Sequence, residues 1–392
     1  VWVEVRQEKF EQMKIAIIGG GIAGLTAAIV LQNQGIEPVI YESADSIKHV
    51  GAGILLASNA MQVFKKLGIH EKIEDAGMKI SNVKITDPQL ISLSETRLDR
   101  FEDKYGVYNV AIHRADLLNI LTKQVGFQNI HLSKRLNKIE KTDGFKLIFE
   151  DGTTVDTEAI IGADGIKSAV RDQLFGTGNI RDTRQRCWRG VAELDWASKY
   201  RHEAFESWGK GKRFGFAKIT DKKVYWYAVV NQSLLDKEPD ITSLFREFHP
   251  DITQIVSETA SSDIIFNDLI DLSPFKKWTK GNVCLIGDAA HATTPNMGQG
   301  ACQAIEDAYA IGKLLEQGNT IPETFLQYET LRINKAHSIV NTSWKLGNMA
   351  HMENGLGIWF RDKLIKLIPE SIRMKQMDKM FDISYMDSLP KA

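Results

Sequence analysis

The stretch MKIAIIGGGIAGL, residues 13–25, decides the fold. Its first six residues read as a short buried strand, because the apolar run Ile15 to Ile18 ending at glycine suits a strand covered on both faces. Gly19, Gly21 and Gly24 then fit the spacing GxGxxG. The first glycine permits a tight turn, the second lets a pyrophosphate approach the backbone, and the third lets helix and strand pack closely. Ile22, Leu25, Ala28 and Ile29 recur at helical spacing up to Gln34-Gly35, where glycine ends the helix. A second apolar strand, PVIYE, covers residues 38–42. Strand, glycine turn, helix and strand form one right-handed parallel βαβ unit. Ile22 and Ala23 open the helix, where free N–H groups and the positive dipole end favour phosphate. Glu42 follows the second strand, eighteen residues after Gly24; a carboxylate there accepts ribose hydroxyls and disfavours a 2′-phosphate. The unit therefore reads as a dinucleotide site in an α/β domain.

Working outward, the 392 residues exceed one ordinary hydrophobic core, so two domains are expected. Lys plus Arg number 49 against 50 Asp plus Glu, which gives no basis for a nucleic-acid partner. Cys187, Cys284 and Cys302 contain no CxxC pair, so a disulfide framework or thiol-redox centre is not expected, nor is a metal site; a reducing, cytoplasmic compartment fits. No apolar run reaches the ~18 residues of a membrane span. The polar residues 1–12, VWVEVRQEKFEQ, read as a leader or remnant before a fold beginning at Met13.

Two further strand-to-turn units follow. EAIIGADG, residues 158–165, carries Asp164, and NVCLIGDAAH, residues 282–291, carries Asp288. Both acids follow apolar strands, at the ends where open α/β folds gather ligands. Each alone reads equally as a turn or helix cap. Arg114, in HRADLLNIL, stands where a helix begins, and a cation there opposes the helix dipole unless an anion or polar cofactor edge lies nearby. From about Arg184 to Asn231 the pattern changes: RFGFAKI, TDKK and VYWYAVV alternate with period two, a hairpin signature for a second, antiparallel domain. The tail is helical, with Leu356, Phe360, Leu364 and Leu367 on a stripe beside Arg361, Lys363 and Lys366, which is expected to pack on the protein's own body.

GGGIAGL, GADGIKSAVR and GDAAHATTPNMGQGACQAIEDA, in this order, resemble the class A flavin monooxygenases of the aromatic-hydroxylase type. SNAMQVFKKLGI, HRADLL and the helical tail also fit, so the resemblance runs from Met13 to about Asp382, and the third motif is most similar to FAD-dependent urate hydroxylases and zeaxanthin epoxidases. It implies an α/β, Rossmann-like FAD-binding domain (13–78, 105–175 and 275–345), an inserted antiparallel-sheet substrate domain (79–104 and 176–274) and C-terminal helices (346–392). It implies that Gly19, Gly21, Gly24 and Glu42 hold the ADP half of FAD and that Arg114 contacts the cofactor. Asp164, supported by Arg171, would serve the region shared by FAD and NADPH or NADH, and Asp288 the ribityl or phosphate part. Pro295 and the run Gly298, Gln299, Gly300 would lie beside the flavin ring, where a helix start stabilises the anionic reduced flavin.

The reaction so implied passes a hydride to FAD, captures dioxygen as a flavin hydroperoxide and hydroxylates a planar, electron-rich small molecule. The flavin does this chemistry, so no catalytic side chain is expected; His291 reads as a histidine bonded to backbone. Arg213 and Tyr225 match by spacing a polar pair that resembles the urate-hydroxylase substrate site. An even hairpin loop across TDKK would set them on opposite faces and an odd loop on one face. Asn296 replaces the acid that urate hydroxylases carry after TTP, and an amide cannot act as a base, which counts against urate. A halogenase would carry WxWxIP and a disulfide reductase a cysteine pair; neither is present. A flavin-dependent dehydrogenase remains, as does a non-enzymatic redox sensor or membrane-docking module resting on GLGIWFRDKLIKLIP. A monomer or homodimer without membrane contact is expected.

Overall fold

A computed structural model describes residues 14–47, 52–176, 178–196, 198–235 and 240–389. The leader assigned to residues 1–12 and the strand start at Met13 lie outside the described residues. A six-stranded sheet is built around Ile15–Ile18, whose side chains are all buried. Ala159–Gly162 and Val39–Tyr41 flank it in parallel, and Val283–Leu285 pairs in parallel with Ala159–Gly162. The edge strand Thr279–Lys280 alone runs antiparallel in this sheet. Helix Ile22–Gln32 covers one face, and helix Gly300–Glu316 packs across it, with Gly312 leaving room for Val30.

The register explains how distant motifs meet. Ile18 pairs with Gly162 and Tyr41, and Gly162 pairs with Leu285. The glycine turn, Asp164, Glu42 and Asp288 therefore leave adjacent strands at one carboxyl edge, where such sheets bind ligands.

A seven-stranded sheet contains Asn82–Thr86, Ser92–Arg97 and five strands between Ile180 and Leu272. It is antiparallel except that Glu203–Trp208 pairs in parallel with Asn82–Thr86, a departure from the all-antiparallel expectation. The sequence between these two strands includes a long crossover, which parallel pairing requires. Alternation sorts the side chains: Val224, Trp226, Ala228 and Val230 pack with Phe205, Phe214 and Phe216 beneath helix Pro250–Ser257, while Tyr225 and Tyr227 face the other way. Ile219 N–H donates to the Lys223 carbonyl at 2.9 Å, so the hairpin loop holds the three residues 220–222. The loop is odd, and the pairs Arg213–Val229 and Ala217–Tyr225 put Arg213 and Tyr225 on one face.

The tail departs from expectation. Helix Gly355–Leu367 seats on the body through Ile365 and Arg361, whose guanidinium lies 5.2 Å from the Trp208 ring and donates to the Ala350 carbonyl at 3.1 Å. That seating turns Leu356, Phe360, Leu364 and Leu367 outward, so the stripe expected to be covered is exposed.

Candidate active site

The three glycines occupy three different environments. Gly19 has φ +107°, and a side chain there would strike the Ala163 carbonyl. A Cβ on Gly24 would collide with the Gly19 carbonyl oxygen, so the helix can lie this close to the turn only without one. Among the described residues nothing lies within 4 Å of where a Gly21 Cβ would stand, and Gly21 opens onto the cavity with Ile22 and Ala23. This is a cradle open at the one glycine whose backbone a pyrophosphate would approach. Glu42 Oε2 accepts from Gly20 N–H at 2.6 Å and Oε1 from Ala44 N–H at 2.8 Å, fixing the carboxylate at the turn with lone pairs to spare.

One cavity of about 1270 Å³ runs from this turn to the seven-stranded sheet. A pocket for one drug-sized ligand holds about 300–1,000 Å³, so this space suits a large cofactor with a second molecule. Arg114 and Asp288 both line it. Enclosure by protein pushes the Asp288 carboxyl above its ordinary range, against the pull of His291 and Arg114. The same enclosure lowers Arg114, which Asp288 opposes. Pro295, Gly298 (φ +61°), Gln299 and Gly300 form the wall where helix Gly300–Glu316 begins, and among the described residues no side chain caps that helix. Its first N–H groups are thus free to meet a ligand. The Gln299 side chain points inward and accepts from Asn59 and Gln303, both at 3.0 Å, so only its backbone serves the cavity.

Three residues singled out in the sequence, Asp164, His291 and Arg213, are held by side chains of the protein itself. The Asp164 carboxylate accepts from Ser168 Oγ at 2.6 Å and Val170 N–H at 3.1 Å, beside the Ser168 cap of helix Ala169–Leu174. Arg171, buried, bridges its own loop to the Asp288 segment by donating to the carbonyls of Ile166 at 2.8 Å and Ala289 at 3.2 Å. The His291 ring bonds a carboxylate: its Nε2 is 2.5 Å from Asp307 Oδ2, which also accepts from Gly287 N–H at 3.0 Å. Arg332 donates to Asp307 Oδ1 at 2.9 Å, so Asp307 stays charged and pins the glycine before Asp288.

Arg213 is the third. It is fully buried, with Glu206 and Tyr227 of the cavity wall against it. Its Nη1 donates to Glu206 Oε1 at 3.1 Å and its Nη2 to Asn296 Oδ1. Glu206 also accepts from Trp208 Nε1 at 2.6 Å and from the Tyr227 hydroxyl. Burial, and then the Glu206 charge, push the Tyr227 phenol well up, so it stays a donor. Asn296 Nδ2 donates to Thr294 Oγ1 at 2.8 Å and to the Ser343 carbonyl at 2.7 Å, which fixes its amide orientation. Tyr225 and Tyr227 lie 6.1 Å apart between ring centroids, and Gly53 and Gly215 leave the space their rings fill. The sequence reading missed Glu206 and Tyr227. Their signal was the period-two face shared with Tyr225, together with Gly215, which pairs with both.

A model of the FAD-binding-domain family matches residues 12–343. The chain is an FAD-dependent monooxygenase of this family. The chain is 34 % identical to the aurachin C monooxygenase/isomerase of Stigmatella aurantiaca over 91 % of its own length and 94 % of that protein. It is 30 % identical to the 2-heptyl-3-hydroxy-4(1H)-quinolone synthase of Pseudomonas aeruginosa, covering 94 % of this monooxygenase and 98 % of the synthase. The Klebsiella pneumoniae protein HpxO, solved with FAD and uric acid, superposes with a TM-score of 0.87 at 25 % identity, covering 94 % and 96 % of the two chains.

Proposed function

We propose that this monooxygenase uses NADPH or NADH and dioxygen to hydroxylate a neutral, planar nitrogen heteroaromatic. The observation that carries the substrate class is the Glu206, Tyr227 and Asn296 group, set in an otherwise largely apolar wall facing the Gly300 helix start. Bound FAD supplies the hydride acceptor and the activation of dioxygen. Gly21, Ile22, Ala23 and Glu42 hold the adenosine and pyrophosphate, Arg114 and Asp288 the middle of the cofactor, and Pro295 to Gly300 the ring. The free N–H groups at Gly300 favour negative charge on that ring. Asp164 and Arg171 position the turn between them. The six-stranded sheet and its helices form the cofactor domain, and the seven-stranded sheet the substrate domain.

Glu206 offers an acceptor for a ring N–H, and Tyr227 and Asn296 orient the ring. An anion such as urate would meet a carboxylate whose cationic partner, Arg213, is shielded behind the wall. A neutral ring with an apolar substituent instead matches the Ile54, Val83, Ile85 and Ala217 lining. The quinolone made by the Pseudomonas synthase has that chemistry. The test is consumption of NADPH and NADH by the FAD-loaded protein with a 2-alkyl-4-quinolone or with uric acid, read with product mass. Stimulation and a hydroxylated quinolone are expected. Turnover of uric acid alone would overturn the substrate class.

A further inference from the structure

Helix Gly355–Leu367 presents its apolar side to water. At about 3.6 residues per turn, Leu356, Trp359, Phe360, Leu364 and Leu367 share one face, and they are 80 %, 60 %, 58 %, 48 % and 74 % exposed. A surface helix ordinarily turns such a stripe inward. Ile368 and Ile372, also exposed, carry the patch past Pro369 onto helix Glu370–Phe381. Contiguous apolar surface of this kind marks an interaction site.

Charge selects the partner. The two helices carry Arg361, Lys363, Lys366, Arg373, Lys375 and Lys379 against Asp362, Glu370 and Asp378. Asp362 is paired with Arg361 at 2.8 Å and Asp378 with Lys104 at 2.6 Å, which leaves exposed lysines dominating the patch. Lys363 Nζ lies 5.1 Å from the Trp359 ring centroid, on the apolar face itself. Lysines on an aromatic stripe bury their stems and reach headgroups with their ammonium groups. Among the described residues no helix is long and apolar enough to cross a membrane, so this helix would lie in the interfacial plane.

We infer that the Gly355–Leu367 helix and the start of the next one dock on a lipid bilayer bearing anionic headgroups. The helix that carries Ile372 also lines the cavity through Arg373, Gln376, Met377 and Met380, and Arg373 Nη1 donates to the Ile368 carbonyl at 2.6 Å. Docking would bring the cavity wall to the membrane. Delivery of an apolar substrate from the bilayer rests on the proposed substrate class; docking itself does not.

The test is co-sedimentation of the FAD-loaded full chain with vesicles of phosphatidylcholine, with and without phosphatidylglycerol. Binding to the phosphatidylglycerol vesicles is expected, weakened by salt. Trp359→Ser with Phe360→Ser should lower that partition about tenfold or more, and Lys363→Gln or Lys366→Gln about fivefold each. All four side chains are solvent-facing, so FAD content, thermal midpoint and turnover of a soluble substrate should not change. No binding to either vesicle, or undiminished binding by the Trp359/Phe360 variant, would overturn the inference. So would a dimer in light scattering that the same variant dissociates, since a second copy would then cover the face.

Discussion

Alanine at Gly21 and at Gly24 should give opposite defects. Gly21 is at φ −78° and ψ −173°, a conformation open to alanine, with no atom of the described residues within 4 Å of the new Cβ. A weaker helix cap is offset by lower entropy of the unfolded chain, so stability without FAD should change by less than about 1 kcal/mol. The new methyl instead occupies the space assigned to the pyrophosphate. Overpacking of one methyl costs about 1–3 kcal/mol, so FAD affinity should fall roughly 5- to 150-fold. At Gly24 the new Cβ meets the Gly19 carbonyl oxygen, backbone against backbone, and neither side can swing away. That variant should lose about 1–3 kcal/mol or more before any FAD is added. Thermal unfolding of the apo-protein and titration of flavin fluorescence separate the two effects. Gly21→Ala binding FAD like the parent would refute the placement of the pyrophosphate.

Asp288→Ala should weaken FAD roughly tenfold or more by removing a charged hydrogen-bonding partner, with an unchanged circular dichroism spectrum; unchanged affinity would count against its assignment. Glu206→Gln strands the buried Arg213 cation and should cost about 2–4 kcal/mol, while Arg213→Met added to it should restore part of that loss; strictly additive thermal shifts would show that the pair is uncoupled. His351 is held at about 3 by burial and then by Arg213. Its folded value lies below the unfolded one, so the unfolded chain binds the extra proton, and stability should fall as pH drops from about 6.5, by up to roughly 1.4 kcal/mol per unit. His351→Gln should flatten that slope in thermal melts, and an unaltered slope would remove His351 as its source.

What could be read in the sequence was local or strictly periodic. The βαβ unit is contiguous, so its three glycines and Glu42 carry their geometry in their spacing. Asp164 and Asp288 were legible as strand-end acids, but spacing could not show that Ser168 and the Val170 N–H satisfy Asp164. Glu206 was not legible, because its meeting with Tyr227 depends on how three strands register across Gly215. The partner of His291 lies sixteen residues on, inside a helix, and was hidden for the same reason. Periodicity found the Leu356–Leu367 stripe; it could not say what covers it, since a repeat fixes which residues share a face and not where that face points.

The most direct measurement is the isotope content of the product when the FAD-loaded enzyme turns over a 2-alkyl-4-quinolone, with NADPH or NADH, under labelled dioxygen. One labelled oxygen atom in a hydroxylated quinolone is expected. Oxidation without oxygen insertion, or a hydroxylated product free of label because its oxygen came from water, would contradict the proposed hydroxylation.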